Sequence, residues 1–277
     1  MNYRHAYHAG NFADVHKHVA LVAIIQHIKK KDQPFAVVDA HAGRGLYDLA
    51  GTEASKTGEA LDGIGLLRDH QPQSPAVAEY LTVAQAFGSN RYPGSPLIAA
   101  SLLRKQDRLI AIENQPGEFS SLRQALAFYP NARAIEGDTA LKLRGLLPPK
   151  ERRGLILIDP PYEISQELEQ ISGIVGDALR RFATGIFVIW HPLKFTQPIA
   201  TLCGELGHAG AARALHLAFD RGRQESDSER ALSAAGLLVI NPPFGFERTF
   251  GEAAQELLTV LRRGPGADAR ATWMRKD

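Results

Sequence analysis

The chain carries a single cysteine, Cys203, among 277 residues. That excludes an intramolecular disulfide and a cysteine-built zinc site, and it suits a reducing compartment. It also lacks an excess of either charge. Lys and Arg number 32 against 30 Asp and Glu, a balance of +2. A histone-like polycation is therefore excluded, although a local basic face can hide inside a balanced total. Long hydrophobic runs are missing. Stretches such as residues 185–190 (GIFVIW) are far too short to span a bilayer. The opening MNYRHAYHAG has no apolar run of the signal-peptide kind. A soluble, cytoplasmic protein without a membrane partner is expected. Repeats and low-complexity tracts are absent. What is present is ordinary globular composition, 44% hydrophobic and 22% charged. A chain of this length buries about three quarters of its unfolded surface, so disorder is not its main state.

Short apolar runs alternate with helical periodicity. The runs are residues 35–39, 108–113, 132–136, 154–159, 185–190, 214–219 and 237–241. Several are apolar almost throughout, as strands buried on both faces of a parallel sheet are. Helical spacing occupies residues 14–31, 117–128, 139–147, 165–181 and 249–263. The alternation predicts an α/β fold with one mostly parallel sheet of seven strands and helices on both faces. Residues 1–277 are expected to form a single domain. The gap between Asp39 and Arg108 spans 68 residues, far more than a crossover needs. Two amphipathic patterns, near residues 58–70 and 75–87, predict an inserted helical subdomain over residues 46–93.

Four strand ends carry chemistry. Asp39-Ala40-His41-Ala42-Gly43-Arg44-Gly45 follows the first strand. Its small residues allow close backbone approach to a nucleoside, but its spacing is neither a dinucleotide fingerprint nor a P-loop. By itself it is equally well a tight turn. Glu113 ends the second long strand, where a carboxylate suits the two hydroxyls of a ribose; a solvated or capping acid is the plainer alternative. Asp138, after the third, can accept from an adenine amine or cap the helix that starts at Thr139. Asp159-Pro160-Pro161-Tyr162 ends the fourth and carries the most information. The Asp159 carboxylate and the Pro160 carbonyl are two acceptors for one exocyclic NH2, fixed in advance by proline. Tyr162 offers a face for a planar substrate. Such a set suits methyl transfer to an amine nitrogen.

Other features are less specific. Asn241-Pro242-Pro243-Phe244 copies the motif. If its strand runs antiparallel, it ends away from the ligand crevice, and it reads as a strand-ending turn. Ser95-Pro96 predicts a helix start with Ser95 as N-cap, either facing an amino-acid carboxylate or simply capping. Tyr3, Arg4, His5, His8, His16, Lys17 and His18 crowd the N-terminus. Without cysteine, and with His16 and His18 on different sides of a helix, no metal is expected. A base-stacking tyrosine with cationic neighbours is the functional reading, and residues 1–13 form a candidate substrate-contacting tail. Lys29–Lys31 suit a helix C-terminus. Arg221, Arg223 and Arg230 lie on a loop expected at the ligand side. Cys203 has no partner for nucleophilic catalysis.

The order of these motifs resembles that of Rossmann-like class I S-adenosylmethionine-dependent methyltransferases acting on amino groups. Their sheet has seven strands with an antiparallel last one. A narrower resemblance covers essentially the whole chain. It rests on Tyr3-Arg4-His5, His8-Ala9-Gly10-Asn11, Asp14, Lys17-His18, Asp39 to Gly43, Tyr92-Pro93-Gly94-Ser95-Pro96, Arg153 to Tyr162 and Arg181 to Gly185. These look like the ribosomal RNA large-subunit methyltransferase J family, which makes N6-methyladenosine at adenosine 2030 of 23S rRNA. The resemblance implies S-adenosylmethionine as methyl donor, no metal, and a 23S rRNA hairpin, naked or in an early precursor, as partner of a monomer. It implies cofactor contacts from His18, His41, Gly43, Ser95, Glu113, Asp138, Thr139 and Asp159. It implies catalysis by Asp159 with Pro160 and Tyr162, and RNA contacts from Tyr3, Arg4, His5 and Lys17. Where the family often has Gly after the position of Asp138, this chain has Thr139. DNA adenine and a protein glutamine are alternative acceptors for such a motif, and a non-catalytic assembly factor is the alternative of another class.

Overall fold

A computed structural model describes residues 5–162, 167–193, 196–228 and 231–276. Tyr3, Arg4 and Arg230 lie outside the described residues. The main sheet is built from β1 (Ala36–Asp39), β4 (Arg108–Glu113), β5 (Ala132–Glu136), β6 (Gly154–Ile158), β7 (Ile186–Pro192), β8 (Arg213–Asp220), β9 (Ala234–Ile240) and β10 (Asp268–Lys276). Its order is β10-β8-β9-β7-β6-β1-β4-β5. β9 is antiparallel to both neighbours, and β10 is antiparallel to β8. The pairs joining β5, β4, β1, β6 and β7 are parallel. All seven expected strands are there, and the sheet has an eighth. β10 is missing from the sequence reading because it is an edge strand with a mostly exposed, charged pattern (DARATWMRK). Charged side chains on an edge discourage pairing with other chains, and they also erase the hydrophobic signal.

Alternate residues of each strand feed two apolar layers. Val37, Leu109, Leu155, Val188 and Leu217 face α1 (Phe12–Lys29), α3 (Pro75–Gln85), α4 (Ser95–Leu102) and α9 (Phe246–Leu261). Val38, Ile112, Ile156, Phe187 and Leu238 face α6 (Thr139–Leu146), α7 (Glu167–Arg181) and α8 (Thr196–His208). A central β6 buried on both sides (GLILI) follows directly. α1 is nearly all buried, with α3 against one side and α9 against another. The basic cluster at its C-terminus is organised by Arg153, which donates to Ile28 O (2.9 Å) and Gln33 O (2.6 Å).

Residues 46–93 begin and end in a small antiparallel ribbon, β2 (Leu46–Asp48) with β3 (Arg91–Pro93). Between them lie α2 (Thr52–Thr57), a 3-10 turn at Ile64–Leu67 and α3. The first amphipathic pattern, expected near residues 58–70, gives only that single turn, because Gly58, Gly63 and Gly65 interrupt it. Val77, Tyr80 and Leu81 of α3 belong to the same apolar layer as α1.

Candidate active site

β1 is where the chain reverses its direction of growth across the sheet, with β4 on one side and β6 on the other. In open α/β sheets the crevice outside the carboxyl ends of the strands at such a point receives ligands. Asp39, Glu113, Asp138 and Asp159 all sit at those ends.

The glycine loop is braced from beneath. Gly43 N–H donates to Glu113 Oε2 (2.8 Å) and Gln115 N–H to Glu113 Oε1 (2.7 Å). Burial raises the Glu113 carboxyl above its ordinary value, against the pull of these amides. Gly43 has φ +60°, and a Cβ there would fall on the Tyr47 hydroxyl. The loop's Arg44 is held by Glu118 (2.7 and 2.8 Å) and Glu53 (3.1 Å).

Asp39 is fully buried, and its Oδ2 has no hydrogen-bond partner among the described residues. Burial pushes its carboxyl up to about 6, while hydrogen bonds from Ser95 and the His41 amide and the charge of Lys17 pull the other way. An orphaned carboxylate oxygen at the crevice fits a cationic group of a ligand. No ligand role for Asp39 was legible in the motif order, where it only heads the glycine loop. The helix-start expectation needs a correction. Gly94 is the N-cap of α4, Ser95 its first residue and Pro96 its second, so the Ser95 hydroxyl serves Asp39 instead.

Asp138 caps α6 by accepting from Leu141 N–H (3.0 Å). The Thr139 hydroxyl donates to Ala40 O. Thr139 thus ties α6 to the loop after β1.

Lys17 lies between two carboxylates, hydrogen-bonding Asp14 Oδ1 (2.8 Å) and Asp159 Oδ2. Burial alone would depress its ammonium, but these two charges raise it above its ordinary value. Asp14 Oδ2 also takes the His5 ring (3.0 Å) and Gly10 N–H (2.9 Å). Burial would raise Asp14, yet His5 and Lys17 hold it well below the carboxylate range. Asp14 is therefore the hub of the N-terminal segment. Its i, i+3 spacing to Lys17 was visible in the sequence; its partners across the fold were not.

Asp159 N–H donates to His41 Nδ1 (3.3 Å). Burial lowers the His41 imidazole to about 4, so it is neutral, and the accepting Nδ1 leaves the proton on Nε2. The His18 ring nitrogen Nδ1 lies 2.7 Å from the Tyr92 hydroxyl. Tyr162 adopts φ +52°, and its hydroxyl donates to Trp190 O (2.6 Å). That bond fixes the ring beside Trp190, with centroids 5.7 Å apart.

His16 turns the opposite way from His18, into the layer between Phe219 and Phe250. Among the described residues, no group of three or more His, Cys, Asp or Glu side chains could hold a metal ion.

Asn241 of the rival motif is a structural terminus. Its Nδ2 donates to Ala183 O and Gly185 O (both 2.8 Å). β9 is an interior strand rather than an edge, but its direction sends Asn241 to the pole opposite Asp159. Asn241 has φ +53°, tolerable for Asn and unfavourable for Ala. Asn241→Ala is expected to cost about 2–3 kcal/mol of stability from two lost hydrogen bonds and backbone strain, with the Asp159 site at the other pole undisturbed. Denaturant titration beside an activity assay checks both halves.

The family model described as ribosomal RNA large subunit methyltransferase D, RlmJ, matches residues 32–275. The chain belongs to this family. Ribosomal RNA large subunit methyltransferase J of Escherichia coli K12 is 36% identical, covering 99% of both chains. The Haemophilus influenzae protein of the same name is 36% identical, covering 96% of both. The crystal structure of protein LPL1258 from Legionella pneumophila superposes with a TM-score of 0.84 at 30% identity, over 96% of this chain and 97% of that one. The fold is accordingly the Rossmann-like methyltransferase fold, with an eighth strand on its β8 edge.

Proposed function

We propose that this chain methylates N6 of one adenosine in 23S rRNA with S-adenosylmethionine as donor, at the family's position 2030. The observation that carries the reading is Asp159 with its Pro-Pro-Tyr sequence at the end of β6, beside the topological switch and within reach of Lys17. Family membership supports ribosomal RNA as substrate.

The residues present fit the donor. The enclosed, unpartnered Asp39 carboxylate suits its ammonium through its charge. The Nε2–H of His41 suits a carboxylate, as does His18. Glu113 suits ribose hydroxyls, and Asp138 with Thr139 suits the adenine end. Bound S-adenosylmethionine supplies a methyl group already activated on a sulfonium. The protein's work is then to orient the acceptor. An unpaired or flipped adenine offers its NH2 to the Asp159 carboxylate and the Pro160 carbonyl. Asp159 takes the proton that N6 sheds. Lys17 fixes the direction of the carboxylate, and Tyr162 flanks the base. Tyr3, Arg4 and His5 contact the RNA around it, and His5 is braced by Asp14 and the Tyr47 ring.

The test is transfer from S-adenosylmethionine to protein-free 23S rRNA, with nucleoside mass spectrometry of the digest. New N6-methyladenosine supports the reading. Product on duplex DNA or on a protein glutamine instead, with none on RNA, overturns the substrate and keeps the site.

Asp39 adds a pH dependence. A cationic group bound against it requires the ionised form, and its carboxyl titrates near 6. Affinity for S-adenosylmethionine is expected to fall below pH 6, by up to about tenfold per pH unit. Its folded value is raised, so its contribution to folding stability runs the other way: present at low pH and lost as pH rises through about 6. Calorimetric titration from pH 5 to 8 checks the binding arm, and Asp39→Asn should flatten it.

A further inference from the structure

The inserted segment reaches the donor side of the site through three hydroxyl and imidazole groups in a row. Tyr80 stands on α3 and Tyr92 on β3, both within residues 46–93, and His18 stands on α1. The Tyr80 hydroxyl lies 3.1 Å from the Tyr92 hydroxyl, which lies 2.7 Å from His18 Nδ1. All three residues are buried. Tyr92 also stacks on the His18 ring, with centroids 5.7 Å apart.

Two protonation patterns run consistently along such a row; a third, in which His18 and Tyr80 both donate to Tyr92, strands the Tyr92 proton without an acceptor. In one, Tyr80 donates to Tyr92, Tyr92 donates to His18 Nδ1, and the imidazole proton resides on Nε2. In the other, His18 Nδ1–H donates to Tyr92, Tyr92 donates to Tyr80, and the Tyr80 proton must find a further acceptor. Among the described residues Tyr80 has no other hydrogen-bond partner. A buried donor without an acceptor is costly, whereas a hydroxyl oxygen with a spare lone pair is not. Burial raises both phenols above their ordinary values, so both keep their protons to donate. Burial together with Lys17 lowers His18 to about 3, so its ring is neutral and carries one proton. His18 Nε2 has no partner among the described residues, yet it is not among the sealed, unpartnered atoms, unlike both ring nitrogens of His16.

We infer that Tyr80 and Tyr92 are positioning residues that lock His18 as its Nε2–H tautomer, so that the insertion presets a hydrogen-bond donor for the methyl donor's carboxylate. This rests on the reading of His18 as a contact to S-adenosylmethionine. His41 reaches the same protonation by a different route, through the Asp159 amide. Two neutral imidazoles thus offer Nε2–H groups, one from α1 and one from the loop after β1, without placing a titrating cation next to Lys17.

The test uses the full chain labelled with 15N-histidine. Long-range 1H–15N spectra report the tautomer of each ring, and His18→Gln identifies the His18 signals. Wild type should show His18 as Nε2–H from pH 5 to 9, with or without S-adenosylmethionine. Tyr92→Phe keeps the ring and removes the hydroxyl. It should give a mixed or Nδ1–H tautomer and raise the KM for S-adenosylmethionine on the order of tenfold, the worth of one hydrogen bond, with kcat within about twofold of wild type. Tyr80→Phe frees the Tyr92 hydroxyl to turn, and should give a mixed tautomer with a smaller rise in KM. A wild-type Nδ1–H signal overturns the inference. So does an unchanged His18 tautomer in Tyr92→Phe, or in Tyr80→Phe if Tyr92→Phe does not fold. Failure of wild type to bind S-adenosylmethionine would instead sink the functional reading, while the tautomer remains measurable in the free protein.

Discussion

Asp159→Ala is expected to abolish methyl transfer to 23S rRNA while leaving RNA binding intact. In the proposed mechanism the carboxylate is both a hydrogen-bond acceptor for the amine and the base that takes its proton. Removal of a positioned base costs about 10²–10⁴-fold, and lost orientation adds to that. A fall of at least about 10³-fold is therefore expected. Asp159→Asn keeps one acceptor oxygen and should fall less. Stability should change little in either variant, because Lys17 keeps Asp14 as partner at 2.8 Å. Nucleoside mass spectrometry and a gel-shift titration read the two properties separately. If methylation survives in Asp159→Ala, the base assignment is wrong. If a cellular phenotype of gene loss is fully rescued by the inactive variant, an assembly role outweighs the chemistry.

Lys17→Met should be the most destabilising single change at the site. It leaves Asp14 buried, with its Oδ1 deprived of the ammonium, and Asp159 without its partner. Removing one member of a buried ion pair costs about 3–5 kcal/mol, enough for a drop in Tm on the order of 10 °C in a chain of this size. The pH dependence identifies the cause. In wild type, Asp14 is held well below its ordinary value. Its stabilisation is present above its unfolded pKa and lost as pH falls toward the folded one. In Lys17→Met the His5 ring and the Gly10 amide still hold the carboxyl, but the Lys17 contribution is gone, so the carboxyl rises from its wild-type position and the variant loses less stability than wild type on acidification. Melting curves at pH 5, 6.5 and 8 should show the gap between the two proteins narrowing toward acid. A constant gap would mean that lost packing, not the uncompensated charge, is responsible. Activity should also fall, because among the described residues Lys17 alone hydrogen-bonds the Asp159 side chain.

Residues 46–93 and the N-terminal segment are less separable than their positions in the chain suggest. Glu59 accepts from Asn11 (3.0 Å) and pairs with His8 (2.8 Å), and the Thr57 hydroxyl donates to Tyr7 O. Arg221 donates to Asp62 O (3.1 Å) and sits over the Phe12 ring (4.8 Å). Arg263 pairs with Asp62 and Asp227. Of the arginines expected at the ligand side, Arg221 ties the β8–β9 loop to residues 46–93, Arg223 donates within its own loop to Ser228 O (2.8 Å) and Ala231 O (3.1 Å), and Arg230 lies outside the described residues.

Amino-acid order alone determined the alternation of strands and helices, because burial on both faces leaves apolar runs and amphipathic helices leave a 3.6-residue period. It also set Asp39, Glu113, Asp138 and Asp159 at successive strand ends, since each motif directly follows its run. Those are local properties. Partnerships across the fold were decided only in three dimensions. Lys17 and Asp159 are 142 residues apart, and His18 and Tyr92 are 74 apart. No periodicity encodes such a pair, because it exists only once the sheet has ordered its strands and α1 has packed against it. The same holds for Asn241, whose Pro-Pro sequence copies that of Asp159. The direction of β9, set by pairing with β7 and β8, sends it to the opposite pole. It holds for β10 as well, whose edge position requires no apolar pattern and so leaves none to read.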